Sequence, residues 1–470
     1  MTTLSRLVDD LHAGRLTAEE HVTEVLGRIE ALRGSPWENL VVGRDYQQQL
    51  ATQALEQARQ LDERRAGGAV PGPLHGVAVA VKDLIDVAGV PTRCGSRVRE
   101  SAGPARADAA VVQRLREAGA VIVAKTHLHE FAYGPTGAVS ADGPAANPWD
   151  AARITGGSSS GSAALVAMGV VPLAIGTDTG CSVRAPAALC GVVGVKPPFG
   201  ALPSGGVFPL AESFDHVGFL ARTGTDALLA WDALGLGGAG LEGVAARHAS
   251  AGCRIGRLAG PGWQVHDEQV RAAVDATAER LADAGHAVVD VELPEAVELV
   301  ELYGTITGAE ALATHARELD EVPDQFQELT RDRLRAQQGR PATEYIQAVR
   351  RLRALRRQID QRLRDAGFDM LLAATVPFRA PLIGVEELEA GGSTVPVRPE
   401  ILRLCIPFSA LGYSVAAIPG PGLTGPVLTG PGSAGPAGDS LPVGAQLAAL
   451  PHADARAPLI LGARALGELA

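Results

Sequence analysis

Between residues 76 and 175 short apolar runs alternate with helical segments, and this alternation constrains the fold more than any other feature of the sequence. Gly76–Val81, Ala120–Ala124 and Val170–Ile175 read as strands; Ala109–Ala118 and Ser162–Met168 read as helices closed by Gly119 and Gly169. In the first strand Val77, Val79 and Val81 alternate with Gly76, Ala78 and Ala80, so neither face is polar and both need cover. The pattern predicts an α/β fold: a large mixed, mostly parallel twisted sheet flanked by helices on both faces.

The flanking segments fit this plan. Residues 1–65 read as helical, with Thr17 and Glu20 as a capping box before the stripe Val22, Val25, Leu26 and Ile29. Gln53–Arg65 is a second helix, ended by Gly67-Gly68. Residues 253–258, a helix over about 267–284 and the strand Ala287–Leu293 make one more β-α-β unit. Residues 300–366 are helix-rich with arginine-laden faces, read as solvated. Strands return at Met370–Ala374 and Ser414–Ile418, and Gly420–Asp439 reads as a Gly/Pro surface loop. There is no internal repeat and no clean linker, so residues 1–470 are expected to form one domain: a core at 75–225, a β-α-β unit with a variable helical region at 253–370, and strands and loops at 370–470.

Composition excludes several classes. With 46% hydrophobic and 20% charged residues, the chain is not intrinsically disordered. A net charge of −11 argues against binding driven by phosphate neutralisation, so no nucleic acid is expected as a partner. The five cysteines (Cys94, Cys181, Cys190, Cys253 and Cys405) form no C-x-x-C pair, which argues against a disulfide framework or a zinc site. The opening MTTLSRLVDDLHAGRLTAEE has no apolar signal core, and the longest apolar run, Ala163–Gly176, is too short for a bilayer and contains Pro172. The expectation is a cytoplasmic protein with no membrane partner.

Lysine is scarce. Of 42 basic residues only Lys82, Lys125 and Lys196 are lysines. Arginine stays protonated in a protein, whereas a buried lysine can give up its proton, so the surviving lysines are enriched for places where arginine fails by size or chemistry. Lys82 ends the first apolar strand, where desolvation lowers its pKa toward a competent general base. The residues alone leave a plainer reading open: a strand-end lysine that reaches water or pairs with Asp83 or Asp86.

Two Gly/Ser segments offer hydroxyls beside glycines. Gly156-Gly157-Ser158-Ser159-Ser160-Gly161-Ser162 opens a helix, and Gly176-Thr177-Asp178-Thr179-Gly180-Cys181-Ser182-Val183-Arg184 follows a strand. Glycine lets backbone N–H groups turn toward a bound oxygen, and a helix start adds positive potential; together they suggest a hydroxyl nucleophile beside an oxyanion hole. Either segment alone would be an ordinary pair of turns. Three motif matches fail on context. Gly157-Ser158-Ser159-Ser160-Gly161 fits the hydrolase nucleophile elbow but follows the turn-like Asn147-Pro148-Trp149-Asp150, not a strand. Gly235-Leu236-Gly237-Gly238-Ala239-Gly240 fits a dinucleotide fingerprint but follows a helical stretch. His127-Leu128-His129-Glu130 lacks a third ligand at metal spacing, so it reads as structural or as pocket rim, and neither metal nor cofactor is expected.

These segments, in this order, resemble the amidase signature family. GPLHGVAVAVKDLIDVAGVPTRCGS, AKTHLHEFAYG, NPWDAARITGGSSSGSAALVAMG, GTDTGCSVRAPAALCGVVGVKP and FPLAESFDHVGFLART carry the likeness through residues 75–225. DMLLAATVPFRAPLIG, PFSALGYSVAAIPGPG and LPVGAQLA extend it toward the C-terminus, while residues 295–365 carry little. The resemblance implies a Ser–cis-Ser–Lys amidohydrolase with a small-molecule amide substrate. Lys82 matches the catalytic lysine, Ser158 the bridging serine with its cis peptide bond, and Ser182 the nucleophile. The oxyanion would be held by backbone N–H groups of Thr179, Gly180, Cys181 and Ser182, with Asp178 and Arg184 ordering the loop. Phe131, Tyr133 and Cys181, with the 300–366 helices and the C-terminal loops, would wall the substrate pocket. Cys181 stands where the family usually has glycine, and Thr155 where proline is common. Alternatives within the resemblance are the glutaminase component (the A chain) of a tRNA-dependent amidotransferase, acting on glutamine, and amide-forming acyl transfer in a biosynthetic pathway. A non-catalytic binding protein on this scaffold is the rival outside enzymes; intact Lys82, Ser158 and Ser182 argue against it. A homodimer is compatible with the sequence.

Overall fold

The structure, a computed structural model, describes residues 3–237, 252–390, 392–421 and 441–469. Most of the Gly420–Asp439 segment, and Gly238-Ala239-Gly240 of the fingerprint match, lie outside the described residues.

In chain order the strands are β1 Ala78–Lys82, β2 Val121–Thr126, β3 Leu173–Asp178, β4 Val193–Lys196, β5 His216–Ala221, β6 Arg254–Ala259, β7 Ala287–Glu292, β8 Met370–Ala374, β9 Glu387–Ala390, β10 Ser393–Pro396, β11 Ser414–Pro419 and β12 Gly444–Ala449. Ten of them form one sheet in the order β2-β1-β3-β5-β4-β11-β12-β8-β6-β7, and β9 and β10 pair separately. The sheet is mixed, as expected, but not mostly parallel. β2-β1, β1-β3, β8-β6 and β6-β7 are parallel; β3-β5, β5-β4, β4-β11, β11-β12 and β12-β8 are antiparallel. The reason lies in the connections. β1, β2 and β3 are linked through helices, which lets a strand return in the same direction, whereas β4 runs to β5 through turns alone and so comes back antiparallel.

Both faces of the sheet are covered, as the alternation in β1 required. Val79 and Val81 pack with Leu173 and Ile175 in one apolar cluster. Ala78 and Ala80 pack in another, with Val121, Val123 and the helical residues Ala163–Val166. Small alanines on that face admit the helix Ser160–Ala167 close to the sheet. The capping box at Thr17 is present: its hydroxyl accepts the Glu20 N–H, and the Glu20 carboxylate accepts the Thr17 N–H. The charged 300–366 segment forms the helices Ala296–Glu321, Glu328–Arg335 and Ala342–Asp365. Among the described residues no helix is long and apolar enough to cross a membrane.

Register fixes the site. Val79, Ala80 and Val81 of β1 lie beside Leu173, Ala174 and Ile175 of β3, so the strands end together at Lys82 and the Thr177-Asp178 step. The functional Gly/Ser segments emerge at that shared end.

Candidate active site

Lys82 is fully buried, and its ammonium nitrogen lies 2.6 Å from Ser158 Oγ and 2.8 Å from Thr177 Oγ1. Among the described residues it forms no ion pair. Burial drives its pKa from the ordinary lysine value down to about 7, although the charges of Asp178 and Asp215 act in the opposite sense. A lysine so placed loses its proton near neutrality and faces two hydroxyls.

Ser158 is brought to Lys82 by the turn before the helix Ser160–Ala167, and the Gly157-Ser158 peptide is cis. Its carbonyl accepts the His129 N–H at 3.2 Å. Ser159 ties the turn to β3: its hydroxyl lies 3.2 Å from the Thr177 carbonyl and 3.3 Å from the Thr177 N–H. Its own N–H donates to the Ser182 carbonyl at 3.1 Å. A side chain at Gly176 would put Cβ 2.6 Å from Ser159 Oγ, so glycine there lets the serine turn lie against the strand. The two Gly/Ser segments, separate in sequence, thus form one surface.

Ser182 lies in the turn between β3 and the helix Arg184–Cys190. The turn is clamped from behind. Arg184 and Asp178 are fully buried; Nη2 meets Oδ1 at 2.8 Å and Nε meets Oδ2 at 2.9 Å. Asp178 Oδ2 also accepts the Val183 and Arg184 N–H groups, and Arg184 Nη2 donates to the Gly180 carbonyl and to Ser409 Oγ. Burial would raise the Asp178 pKa, but Arg184 outweighs it and holds the carboxyl well below its usual range. On the open side, among the described residues, the backbone N–H groups of Gly180, Cys181 and Ser182 have no hydrogen-bond acceptor. The Ser182 hydroxyl is likewise unpartnered there and lines a cavity of about 420 Å³, including its mouth. Thr179, Gly180, Tyr133, Tyr303, Thr307 and Arg333 share its wall.

Two residues expected at the pocket wall lie elsewhere. Phe131 packs against Phe208, His315 and Phe326 behind the cavity. Cys181 is fully buried, packs with Ile154, Leu189, Val376 and Phe378, and donates its thiol to the Gly157 carbonyl at 3.8 Å; burial pushes its pKa well above the ordinary value. It is not among the residues that line the cavity. At the neighbouring Gly180 a Cβ would lie 2.7 Å from the Tyr303 hydroxyl.

The HLHE stretch is occupied with structure. His127 Nε2 lies 2.8 Å from the Gly143 carbonyl, and Glu130 accepts from Ser96 Oγ and the Gln327 N–H. No group of three or more His, Cys, Asp or Glu side chains among the described residues is set to hold a metal ion. Sequence reasoning missed Thr177, the second hydroxyl on Lys82, and Asp215. Asp215 accepts the Thr179 hydroxyl at 2.6 Å and the Leu210 and Ala211 N–H groups at 2.9 and 3.0 Å. Burial raises its pKa to about 6 against these hydrogen bonds. Thr177 stood inside a segment already singled out. Asp215 stood inside FPLAESFDHVGFLART, likewise singled out, but was assigned no role there.

The amidase family model matches residues 45–457. The chain belongs to the amidase family. It is 37% identical over 459 residues to AtzE of Pseudomonas sp. (strain ADP), one of the subunits of 1-carboxybiuret hydrolase, a match covering 95% of this chain and 94% of that protein. It is 38% identical over 336 residues to the A chain of the glutamyl-tRNA(Gln) amidotransferase of Symbiobacterium thermophilum, covering 67% of this chain and 66% of that protein. A crystal structure of an amidase superimposes with a TM-score of 0.84 at 32% identity, over 100% of both chains. The likeness read from the motifs, an amidase-signature hydrolase on a large mixed sheet, is met at the level of family and fold.

Proposed function

We propose that this amidase cleaves the C–N bond of a small carboxamide through a seryl acyl-enzyme, with Lys82 as base, Ser158 as relay and Ser182 as nucleophile. The observation that carries the reading is the contact of a buried, readily deprotonated Lys82 with the Ser158 hydroxyl at 2.6 Å. Neutral Lys82 takes the Ser158 proton while Ser158 takes that of Ser182, and Ser182 Oγ bonds to the carbonyl carbon. The relay closes when the Ser182 hydroxyl, unpartnered where it lines the cavity, turns toward Ser158; such contacts commonly tighten only with substrate bound. The developing oxyanion is held by the N–H groups of the Thr179–Ser182 turn, three of which have no acceptor among the described residues. Collapse of the intermediate breaks the C–N bond, and the proton returned through Ser158 leaves with the amine. Water then attacks the ester, the relay takes its proton, and the acid departs with Ser182 restored. Asp178 and Arg184 order the turn from behind.

The amidotransferase chains among the relatives favour a second reading, glutamine hydrolysis that supplies ammonia to a partner. Assaying the isolated chain on glutamine against simple aliphatic and aromatic amides separates the two: turnover of simple amides supports the free-standing amidase, and activity confined to glutamine supports the amidotransferase component. A serine-reactive fluorophosphonate mapped by mass spectrometry is expected on Ser182. An adduct on Cys181 or Ser159 overturns the assignment.

A further inference from the structure

Arg333 is the one fully charged side chain in the wall of the cavity that Ser182 lines, and no carboxylate pairs with it among the described residues. It is held in place rather than neutralised. Its guanidinium stacks on the Tyr133 ring, 3.8 Å from the centroid, and Nη1 donates to the Tyr133 carbonyl. These contacts use the face of the fork and one of its five donors, leaving the rest for a ligand. A second guanidinium reinforces the charge. Arg398 lies on the helix Val397–Arg403, which also brings Leu402 to the cavity. It forms no ion pair or hydrogen bond among the described residues. Burial, and after it the charge of Arg333, pushes its pKa down to about 10; Glu386 acts the other way without pairing with it. Two like charges held near each other cost free energy unless an anion joins them.

We infer that the substrate of this amidase carries a carboxylate, which Arg333 grips with its planar fork while Arg398 strengthens the local field. The carboxylate would sit within a few bonds of the scissile amide, because one small cavity contains both Arg333 and Ser182. The inference rests on Ser182 being the acylated residue and adds the chemical class of what is acylated. A planar fork matches a carboxylate bidentately, which suits Arg333 to this role.

The test compares two amides of equal length, succinamate and butyramide, on the full chain. Two readouts are used: kcat/KM, and protection of Ser182 from a fluorophosphonate. The expected result is a preference for succinamate of about 10- to 100-fold in kcat/KM, with Ser182 protected by succinamate at concentrations where butyramide gives none. The preference should fall to near unity in Arg333→Gln, survive in part in Arg333→Lys, and shrink less in Arg398→Gln; continued labelling of Ser182 shows that each variant is folded. Equal use of, or equal protection by, the two amides while Ser182 still labels overturns the carboxylate inference and leaves the serine mechanism standing. A preference that persists unchanged in Arg333→Gln also overturns it. Failure of Ser182 to label in the parent chain removes the mechanism beneath it.

Discussion

Lys82 and Lys125 occupy neighbouring parallel strands at the same end of the sheet, with Val81 registered against Lys125 and Lys82 against Thr126, and both are fully buried. Their partners differ. Lys125 meets the Asp83 carboxylate at 3.0 Å, the Ile85 carbonyl at 2.7 Å and Thr92 Oγ1 at 3.1 Å. That shell is built for an ammonium. Lys82 meets two hydroxyls and, among the described residues, no carboxylate, so burial outweighs the more distant charges of Asp178 and Asp215 and its pKa falls to about 7. Identical side chains at equal depth thus have different partners, an ion pair in one case and hydroxyls alone in the other. Lys196 shows that low basicity alone is not enough. It too is buried and its pKa is driven well down, yet it lies 3.1 Å from His216 Nε2 and donates to the Tyr413 carbonyl, with no hydroxyl partner among the described residues.

The contrast can be broken by exchanging what each lysine supplies. Lys82→Arg keeps the charge and removes the base; kcat is expected to fall about 10³-fold or more, as in Lys82→Ala and Ser182→Ala, with the far-ultraviolet circular dichroism unchanged. Substantial residual turnover in Lys82→Arg would count against a neutral amine. Lys125→Met should act on stability instead. It strands Asp83 in the interior without its cation, at a cost of about 3–5 kcal/mol in urea unfolding, while the protein that remains folded keeps its kcat. A stable but inactive Lys125→Met would erase the distinction. Thr177→Val removes the second hydroxyl on Lys82 and should lower kcat/KM by roughly tenfold, the worth of one hydrogen bond to this group. An effect as large as that of Lys82→Ala would move Thr177 from support into the relay itself.

What the sequence could and could not reveal follows from the range of the signals. Helices and strands were legible where the signal is local: the Thr17 capping box, the apolar run that leads to Lys82 in β1, and Met370–Ala374 with its bounds unchanged. The central strand directions were not, because whether β5 returns antiparallel to β4 depends on a helix-free connection of turns rather than on the composition of either strand. The scarcity of lysine pointed to three positions, and all three are buried. It could not say which was the base, since that depends on a carboxylate at one lysine and hydroxyls at the other. The serines were found through glycine-rich context and family likeness. Asp215 and Arg333 were missed because each reaches the site from a stretch distant in sequence, one through Thr179 and the other across the cavity, and Asp215 was given no role although its segment carried the family likeness. Cys181 was assigned to the pocket from its place in sequence; its side chain is fully buried among Ile154, Leu189 and Phe378 and does not line the cavity, which chain position does not reveal.

The most direct test of the central claim is the pH dependence of the rate at which a fluorophosphonate acylates Ser182, since it needs no knowledge of the natural substrate. Below about pH 7 Lys82 holds its proton and cannot draw on Ser158; above it the amine is free. The rate should therefore rise with pH, reach half its maximum near 7, level off, and lose this profile in Lys82→Ala. A rate independent of pH between about 5 and 9, or one that keeps its shape without Lys82, would contradict the role given to that amine.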